Sequence, residues 1–424
     1  MIAHGKGLPW MRGCLFKEIV LDKGSILLPM RPPDHFQSSM LEELASLKAV
    51  GLERKLRVVE GIHGTRVTIG GSELINFSSN DYLGLASHPA LAEAMSGSLK
   101  RWGIGATASR LICGTSAEHA ALEEELAKAK GVAASLVFSS GMAAASGTIP
   151  VLVGKGDVVI LDKLAHACLI DAARSSQAVI RIFPHNDHEK LNSLLRWARE
   201  KYPRGKVLIV TESVFSMEGD VAPLREIIQL KERHGAILFL DEAHAVGVRG
   251  HGAMGLAGEL GLAERIDIQM GTFGKALGVS GGYIAGSRTL IDLLINRARS
   301  FIFSTAPSPA IAAACRAALR LVQSVEGEAL RQRLQANLSL MASLTKIPLP
   351  QSAIVPLILG TEELALSESA RLWESGFMVP AIRYPTVPRK TARIRISLSA
   401  AHDPEEIRKL STLLNFQCFP KGDG

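Results

Sequence analysis

The run Ile237-Leu238-Phe239-Leu240-Asp241-Glu242-Ala243-His244-Ala245-Val246-Gly247 decides the reading of the fold. Its apolar part is too short for a helix and suits a buried strand that ends on an acid. Further on, Gly271-Thr272-Phe273-Gly274-Lys275-Ala276-Leu277-Gly278 sets a lysine in a glycine-lined turn. Alone, each half has an ordinary explanation: an Asp after a strand often caps a turn, and a Gly-Lys pair is usually a solvated surface turn. Outward from this pair, short apolar runs recur at Ser135 to Phe138, Val158 to Leu161, Val179 to Phe183, Val207 to Thr211 and Ile268 to Thr272. Helix signals alternate with them between about residues 100 and 290, as in an α/β domain whose mainly parallel sheet is covered on both faces. Thr211, Asp241 and Thr272 fall at strand carboxyl ends, where sites in such sheets lie.

Local signals refine the outline. Thr115-Ser116-Ala117-Glu118 reads as a capping box, and Gly131 as the stop of the helix it starts. Composition shifts near residue 320. Leu319 to Leu344 reads as one long helix, Ile354 to Leu359 and Ala392 to Leu398 as strands, and residues 404 to 415 as a closing helix with Pro404 in its first turn. The expected division is an N-terminal extension at 1–39, an N-terminal segment at 40–80, a large domain at 81–318 and a smaller α+β C-terminal domain at 319–424. Met30 and Met40 are alternative starts, and Met1 to Met40 lacks the continuous apolar run of a secretory signal.

The bulk numbers exclude several classes. Hydrophobic residues are 47% and charged residues 21% of the 424, so a large core is expected and disorder is not. The net charge of +7 comes without a block of like charges, which argues against a nucleic-acid partner. The charge-free segment Gly131 to Gly154 is broken by glycines, serines and Pro150, so it reads as strand, turn and buried helix and not as a membrane span. Five dispersed cysteines, Cys14, Cys113, Cys168, Cys315 and Cys418, fit a reducing cytoplasm better than a disulfide framework. No metal site is expected.

Taken together, Asp241 and Lys275 supply both ends of one cofactor. A strand-end carboxylate can hold a protonated pyridine nitrogen, and a lysine can condense with an aldehyde. Those are the anchor and the electronic partner that pyridoxal 5′-phosphate requires of a protein.

Further segments extend this pattern: Asn76-Phe77-Ser78-Ser79-Asn80-Asp81-Tyr82-Leu83-Gly84-Leu85, Leu164-Ala165-His166-Ala167-Cys168-Leu169, Thr211-Glu212-Ser213-Val214-Phe215-Ser216-Met217-Glu218-Gly219-Asp220 and Ala392-Arg393-Ile394-Arg395-Ile396-Ser397. With the Asp241 and Lys275 motifs, this ordered set resembles the α-oxoamine synthases over about residues 40 to 415. These are fold-type-I pyridoxal phosphate enzymes with a seven-stranded type of sheet. The resemblance implies a cytoplasmic homodimer with shared active sites that joins an amino acid to an acyl thioester. Phe77 to Leu85 and Ala381-Ile382-Arg383-Tyr384-Pro385-Thr386-Val387-Pro388 look most like the biotin-synthesis branch, which uses L-alanine and pimeloyl-CoA or pimeloyl acyl carrier protein. Arg110 to Thr115 and Ser280 to Tyr283 lean toward the sister branch that joins glycine to acetyl-CoA, and Tyr384 stands where the biotin branch commonly has a proline. A pyridoxal phosphate-binding regulator without turnover is the remote alternative, disfavoured by the retained Lys275, Asp241 and Arg395.

The resemblance also implies roles. Lys275 is the cofactor's anchor and, once freed, the base at the amino acid's Cα. Asp241 pairs with the ring nitrogen, His166 stacks on the ring, and His244 and Ser216 lie near the phenolic oxygen. Gly141 and Met142 at a helix start, with Thr272, serve the phosphate, and Thr305 reaches it from the other subunit. Met142 stands where the family has an aromatic residue. Arg395 grips the substrate carboxylate with Asn80, while Arg393 points the same way and competes for that role. Arg383 reads the far end of the acyl chain, and Arg54 or Arg57 touches the acyl substrate. Glu212, on the same loop as Ser216, resembles a family acid, with a plain loop carboxylate as the alternative.

Overall fold

A computed structural model describes residues 35–414. Most of the expected N-terminal extension, Met30, Cys14 and Cys418 lie outside the described residues. The chain falls into two compact units, Met1–Arg57 and Val58–Gly424. In the first, helix His35–Ala49 has no buried residue.

The second unit holds all the strands: β1 Arg66–Ile69, β2 Ser72–Asn76, β3 Ala134–Phe138, β4 Val158–Asp162, β5 Val179–Phe183, β6 Val207–Glu212, β7 Ile237–Asp241, β8 Ile268–Thr272, β9 Gly282–Gly286, β10 Ile354–Gly360, β11 Phe377–Met378, β12 Ala381–Ile382 and β13 Ala392–Ser397. The central sheet has seven strands in the order β3-β9-β8-β7-β6-β4-β5, all parallel except β9. Strands β3, β4 and β6 are buried at every position, which is why their sequences are unbroken apolar runs instead of alternating ones. Helices shield both faces, and two apolar clusters form there, one around Phe138, Leu161 and Met270 and the other around Ile160, Ile209 and Leu238.

All the expected strands are present. In the central sheet the one missed is β9, which reads Gly-Tyr-Ile-Ala-Gly and carries no alternation; outside it the short strands β1, β2, β11 and β12 were also missed. The N-cap is Ser116, bonded reciprocally with His119, and not Thr115; Gly131 ends that helix in the left-handed region at φ 66°. The single long helix expected at 319–344 is two, Pro309–Val322 and Val325–Thr345, because Ser324 caps a new start. Helix Pro404–Leu413 closes the described chain.

Strand β2 pairs parallel with β11, so the segment expected at 40–80 shares a sheet with C-terminal residues. Strand β13 pairs antiparallel with β10 and β12. Among the described residues, no helix is long and apolar enough to cross a membrane.

Candidate active site

The site lies at the carboxyl ends of β6, β7 and β8. Asp241 is the last residue of β7 and sits in register with Glu212, the last of β6. Glu212 is thus a strand-end residue, 2% exposed, and its Oε1 has no hydrogen-bond partner. Burial raises both carboxyls above their usual range; the Lys275 cation pulls Asp241 back down, and Asp241 pushes Glu212 further up. The turn after Asp241 is held by Glu242, which bonds Lys130 Nζ at 2.5 Å and the Ala257 N–H at 2.9 Å. A buried ion pair with its remaining valences filled in this way fixes geometry more than it adds stability. The Ala243 N–H donates to Asp241 Oδ1 at 2.9 Å and aims the carboxylate.

Lys275 leaves the turn after β8. Burial lowers its amine pKa, opposed by Asp241 and Glu212. Its Nζ is 2.7 Å from His244 Nε2, and His244 Nδ1 is 2.7 Å from the Tyr82 hydroxyl. Tyr82 in turn donates to Asn80 Oδ1 at 3.0 Å. Arg395 Nη2 reaches the same Asn80 oxygen at 3.2 Å and the Tyr82 oxygen at 3.4 Å. Burial, then the Lys275 and Arg395 cations, hold His244 well below its usual pKa, so the ring is neutral. Tyr82 spends its one proton on Asn80, so Nδ1–H of His244 donates to Tyr82 and Nε2 accepts from Lys275. A continuous relay therefore joins the lysine amine to the Arg395 guanidinium.

The two arginines of β13 separate here. Arg395 bonds the Ser216 carbonyl at 2.7 Å and Ser397 Oγ at 2.8 Å. Arg393 is committed to the Met217 carbonyl and, at 3.0 Å, to Glu218. That leaves Arg395 as the guanidinium beside Asn80. Ser216 is buried, and its carbonyl is the atom engaged.

His166 caps helix Ala167–Ser175; its Nδ1 accepts from the Cys168 N–H at 3.3 Å and lies 3.1 Å from the Cys168 sulfur. The ring opens onto a cleft of about 560 Å³ whose walls include Leu164, Ser216, Met217, Tyr384 and Pro388. Arg383 is half-buried, just before the Tyr384–Pro388 wall, and its carbonyl accepts the Thr386 N–H.

Helix Gly141–Leu152 begins beside β8, where Ser140 caps it through the Ala143 N–H. Its first-turn N–H groups at Gly141 and Met142 have no acceptor within the helix. Thr272 Oγ1 accepts from the Gly274 N–H at 3.1 Å and donates to the Gly281 carbonyl at 2.7 Å. Glycine is required at 282, where a Cβ would lie 2.5 Å from the Gly141 nitrogen. Met142 is 59% exposed. Thr305 is exposed too and bridged to Ser109. Arg54 and Arg57 belong to the other unit and are exposed. Tyr82 stands in the Asn76 to Leu85 motif, where no local signal marks a role for it; its long-range contact to His244 reveals one.

These features fit pyridoxal phosphate. A buried carboxyl lacking a full cationic partner suits a pyridinium nitrogen, a depressed amine suits an aldehyde, and a helix start suits a phosphate. The comparisons agree. Residues 72–414 match the family described as Aminotransferase class I and II. The 8-amino-7-oxononanoate synthase of Geobacter sulfurreducens is 48% identical over 88% of this chain and 95% of its own. Among solved structures, a serine palmitoyltransferase from S. paucimobilis with bound PLP and myriocin superposes with a TM-score of 0.83 at 29% identity, covering 91% of this chain and 98% of that one. The 8-amino-7-oxononanoate synthase of Francisella tularensis gives 0.68 at 28% identity, over 80% of this chain and 96% of that one. The chain belongs to the class I and II aminotransferase family and, within it, to the pyridoxal phosphate-dependent α-oxoamine synthases.

Proposed function

We propose that this enzyme condenses L-alanine with a pimeloyl thioester, on CoA or acyl carrier protein, to give 8-amino-7-oxononanoate, carbon dioxide and the free thiol in biotin biosynthesis. The observation that carries the reading is the relay from Lys275 through His244, Tyr82 and Asn80 to Arg395, beside a cleft of about 560 Å³. It is supported by the names of the relatives, which match this chain over 95% and 97% of their own length.

When bound, pyridoxal phosphate supplies the electron sink for charge that develops at the amino acid's Cα. Asp241 would keep the ring nitrogen protonated, and His166 would stack on the ring. The first-turn N–H groups of Gly141 and Met142 would hold the phosphate, and Thr272 beside them would donate to it only by releasing the Gly281 carbonyl. Arg395 and Asn80 hold the alanine carboxylate, which turns the Cα–H toward Lys275. The freed Lys275 amine takes that proton, with His244 Nε2 next to it to steady the nitrogen. The Cα then bonds to the thioester carbonyl carbon, the C–S bond breaks, and the alanine carboxyl group leaves as carbon dioxide. Arg383, next to the outer wall of the cleft, selects an acyl chain that ends in a carboxylate or its ester; acetyl offers nothing to such a group.

We further place the enzyme in the cytoplasm as a homodimer, with Thr305 of each chain serving the phosphate in the other's site. Arg54 is carried as an acyl-substrate contact, and the division into a large domain to 318 and a small one from 319 is retained as a working boundary. Product analysis with alanine or glycine against pimeloyl-CoA or acetyl-CoA tests the reading. Alanine with pimeloyl-CoA is the expected pair. A clear preference for glycine with acetyl-CoA overturns it and favours the sister reaction.

A further inference from the structure

Strands β6, β4 and β5 are neighbours in the sheet, and each releases a loop at its carboxyl end. The β4 loop carries His166. The β6 loop carries Ser216, Met217 and Glu218. Both line the cleft beside the cofactor site. The β5 loop carries His185, which none of the steps above uses.

His185 reaches across both neighbours. Its Nδ1 is 3.0 Å from Asp162 Oδ1, at the end of β4, and its Nε2 is 2.8 Å from Asp220 Oδ2, on the β6 loop. Asp162 is buried and also accepts the Leu164 N–H at 2.8 Å and the Asn186 N–H at 3.0 Å, so it organises the first turn toward His166. Phe215 meets the imidazole edge-on, with ring centroids 4.3 Å apart. The far side of the β6 loop has its own anchor, Ser352 Oγ on the Gly219 carbonyl. The imidazole of His185 bonds a carboxylate of the β4 turn and one of the β6 loop together, and Asn186 reinforces the link by donating its amide to Asp220 at 3.2 Å.

We propose that His185 is a positioning residue that staples the His166 loop to the Ser216 loop and thereby sets the width of the acyl cleft. An imidazole held between two carboxylates can satisfy both only with two N–H donors, that is, as the cation. Against the cost of burial, Asp162 and Asp220 push its pKa up to about 10, so both bonds persist across the working range. Glu218, whose charge reaches His185, holds the same loop from β13 through Arg393, and Lys163 stands on the β4 turn beside Asp162. The staple acts on the acyl thioester through the two walls and on alanine through the Ser216 carbonyl that orients Arg395.

This inference rests on the proposed reaction for its acyl readout, so the test has a second readout that does not. His185→Ala and Asp220→Asn are compared with the wild type as holoenzymes, alone and combined. Amide hydrogen exchange is followed at 163–166 and 213–221. Both single variants are expected to speed exchange in both loops, and to raise KM for the pimeloyl thioester about tenfold, more than they lower kcat. The double variant should be no worse than the worse single, because the two residues form one bridge. Asp220→Asn alters a half-exposed side chain, so it keeps the test open if His185→Ala folds poorly. Faster exchange confined to the mutated loop, or additive effects in the double variant, overturns the staple. If the wild type refuses pimeloyl thioesters, the substrate reading fails, and the exchange data still decide whether the loops are coupled.

Discussion

Replacing Tyr82 with phenylalanine tests the relay at its centre. The ring is fully buried against Leu83, Leu85 and their neighbours, so the packing is retained and one oxygen is lost. That oxygen accepts from His244 Nδ1 at 2.7 Å, donates to Asn80 at 3.0 Å and lies 3.4 Å from Arg395. Asn80 Oδ1 keeps Arg395 at 3.2 Å and is not orphaned. His244 Nδ1–H loses the acceptor that fixes its tautomer, and a buried donor left unpaired costs about 1–3 kcal/mol. Expressed as transition-state stabilisation, that is about a 5- to 150-fold drop in kcat/KM for the amino acid. The assay is steady-state kinetics with alanine varied, alongside the visible absorbance of the bound cofactor and a thermal melt. Cofactor content should be unchanged and the melt only slightly shifted. A variant with kcat/KM within about twofold of the wild type would show that Tyr82 does not hold His244 in a working state.

Four further outcomes are expected. Borohydride reduction followed by peptide mass mapping should tag Lys275, and Lys275→Ala should abolish the tag; a label on another lysine refutes the anchor. Asp241→Asn should keep the cofactor but lose turnover on the order of a hundredfold or more, since an amide does not hold the ring nitrogen protonated; near-normal turnover counts against that role. Mixing Lys275→Ala chains with Thr305→Ala chains should raise activity above either parent, because each mixed dimer contains one intact site, whereas no gain on mixing argues against sharing. Finally, burial lowers His119 and His402 from 6.5 to about 4. The unfolded chain therefore binds more protons below 6.5, and their contribution to stability is whole above 6.5 and is lost as pH falls toward 4. Denaturation at pH 4 to 7 should show that slope, and His119→Gln with His402→Gln should flatten it; an unchanged slope refutes the assignment.

Much of the fold was legible because burial on both faces writes itself as short aliphatic runs. Runs at 179–183 and 268–272 match β5 and β8 to the residue. Strand β9 escaped because two of its five residues are glycine and its role is to run against its neighbours under close backbone approach. The break at Ser324 escaped because apolar periodicity continues across it while a single side chain restarts the hydrogen bonding. In the site, Lys275, Asp241 and Arg395 announce themselves by residue type and motif. Tyr82 and His185 do not, since their partners lie 162 and 35 residues away in sequence and no local spacing encodes such pairs. Arg393 and Arg395 are equivalent by strand alternation; long-range partners, Glu218 for one and Asn80 for the other, tell them apart.

The pairing of β2 with β11 sets the order in which this enzyme can become one. Ser78 Oγ donates to the Met378 carbonyl, 300 residues away, and the Ser397 N–H donates to the Phe77 carbonyl at 2.8 Å. The stretch that delivers Asn80 and Tyr82 is therefore latched by chain that leaves the ribosome last, and Arg395 arrives with it. The central sheet can form during synthesis, whereas the amino-acid end of the site waits for the final strand, a long-range closure of the kind that folds slowly. A nascent chain halted before residue 392 would carry the lysine and the acid of the cofactor site, and Asn80, but not the arginine that grips the substrate carboxylate. Specificity for the amino acid is thus the last property this polypeptide acquires.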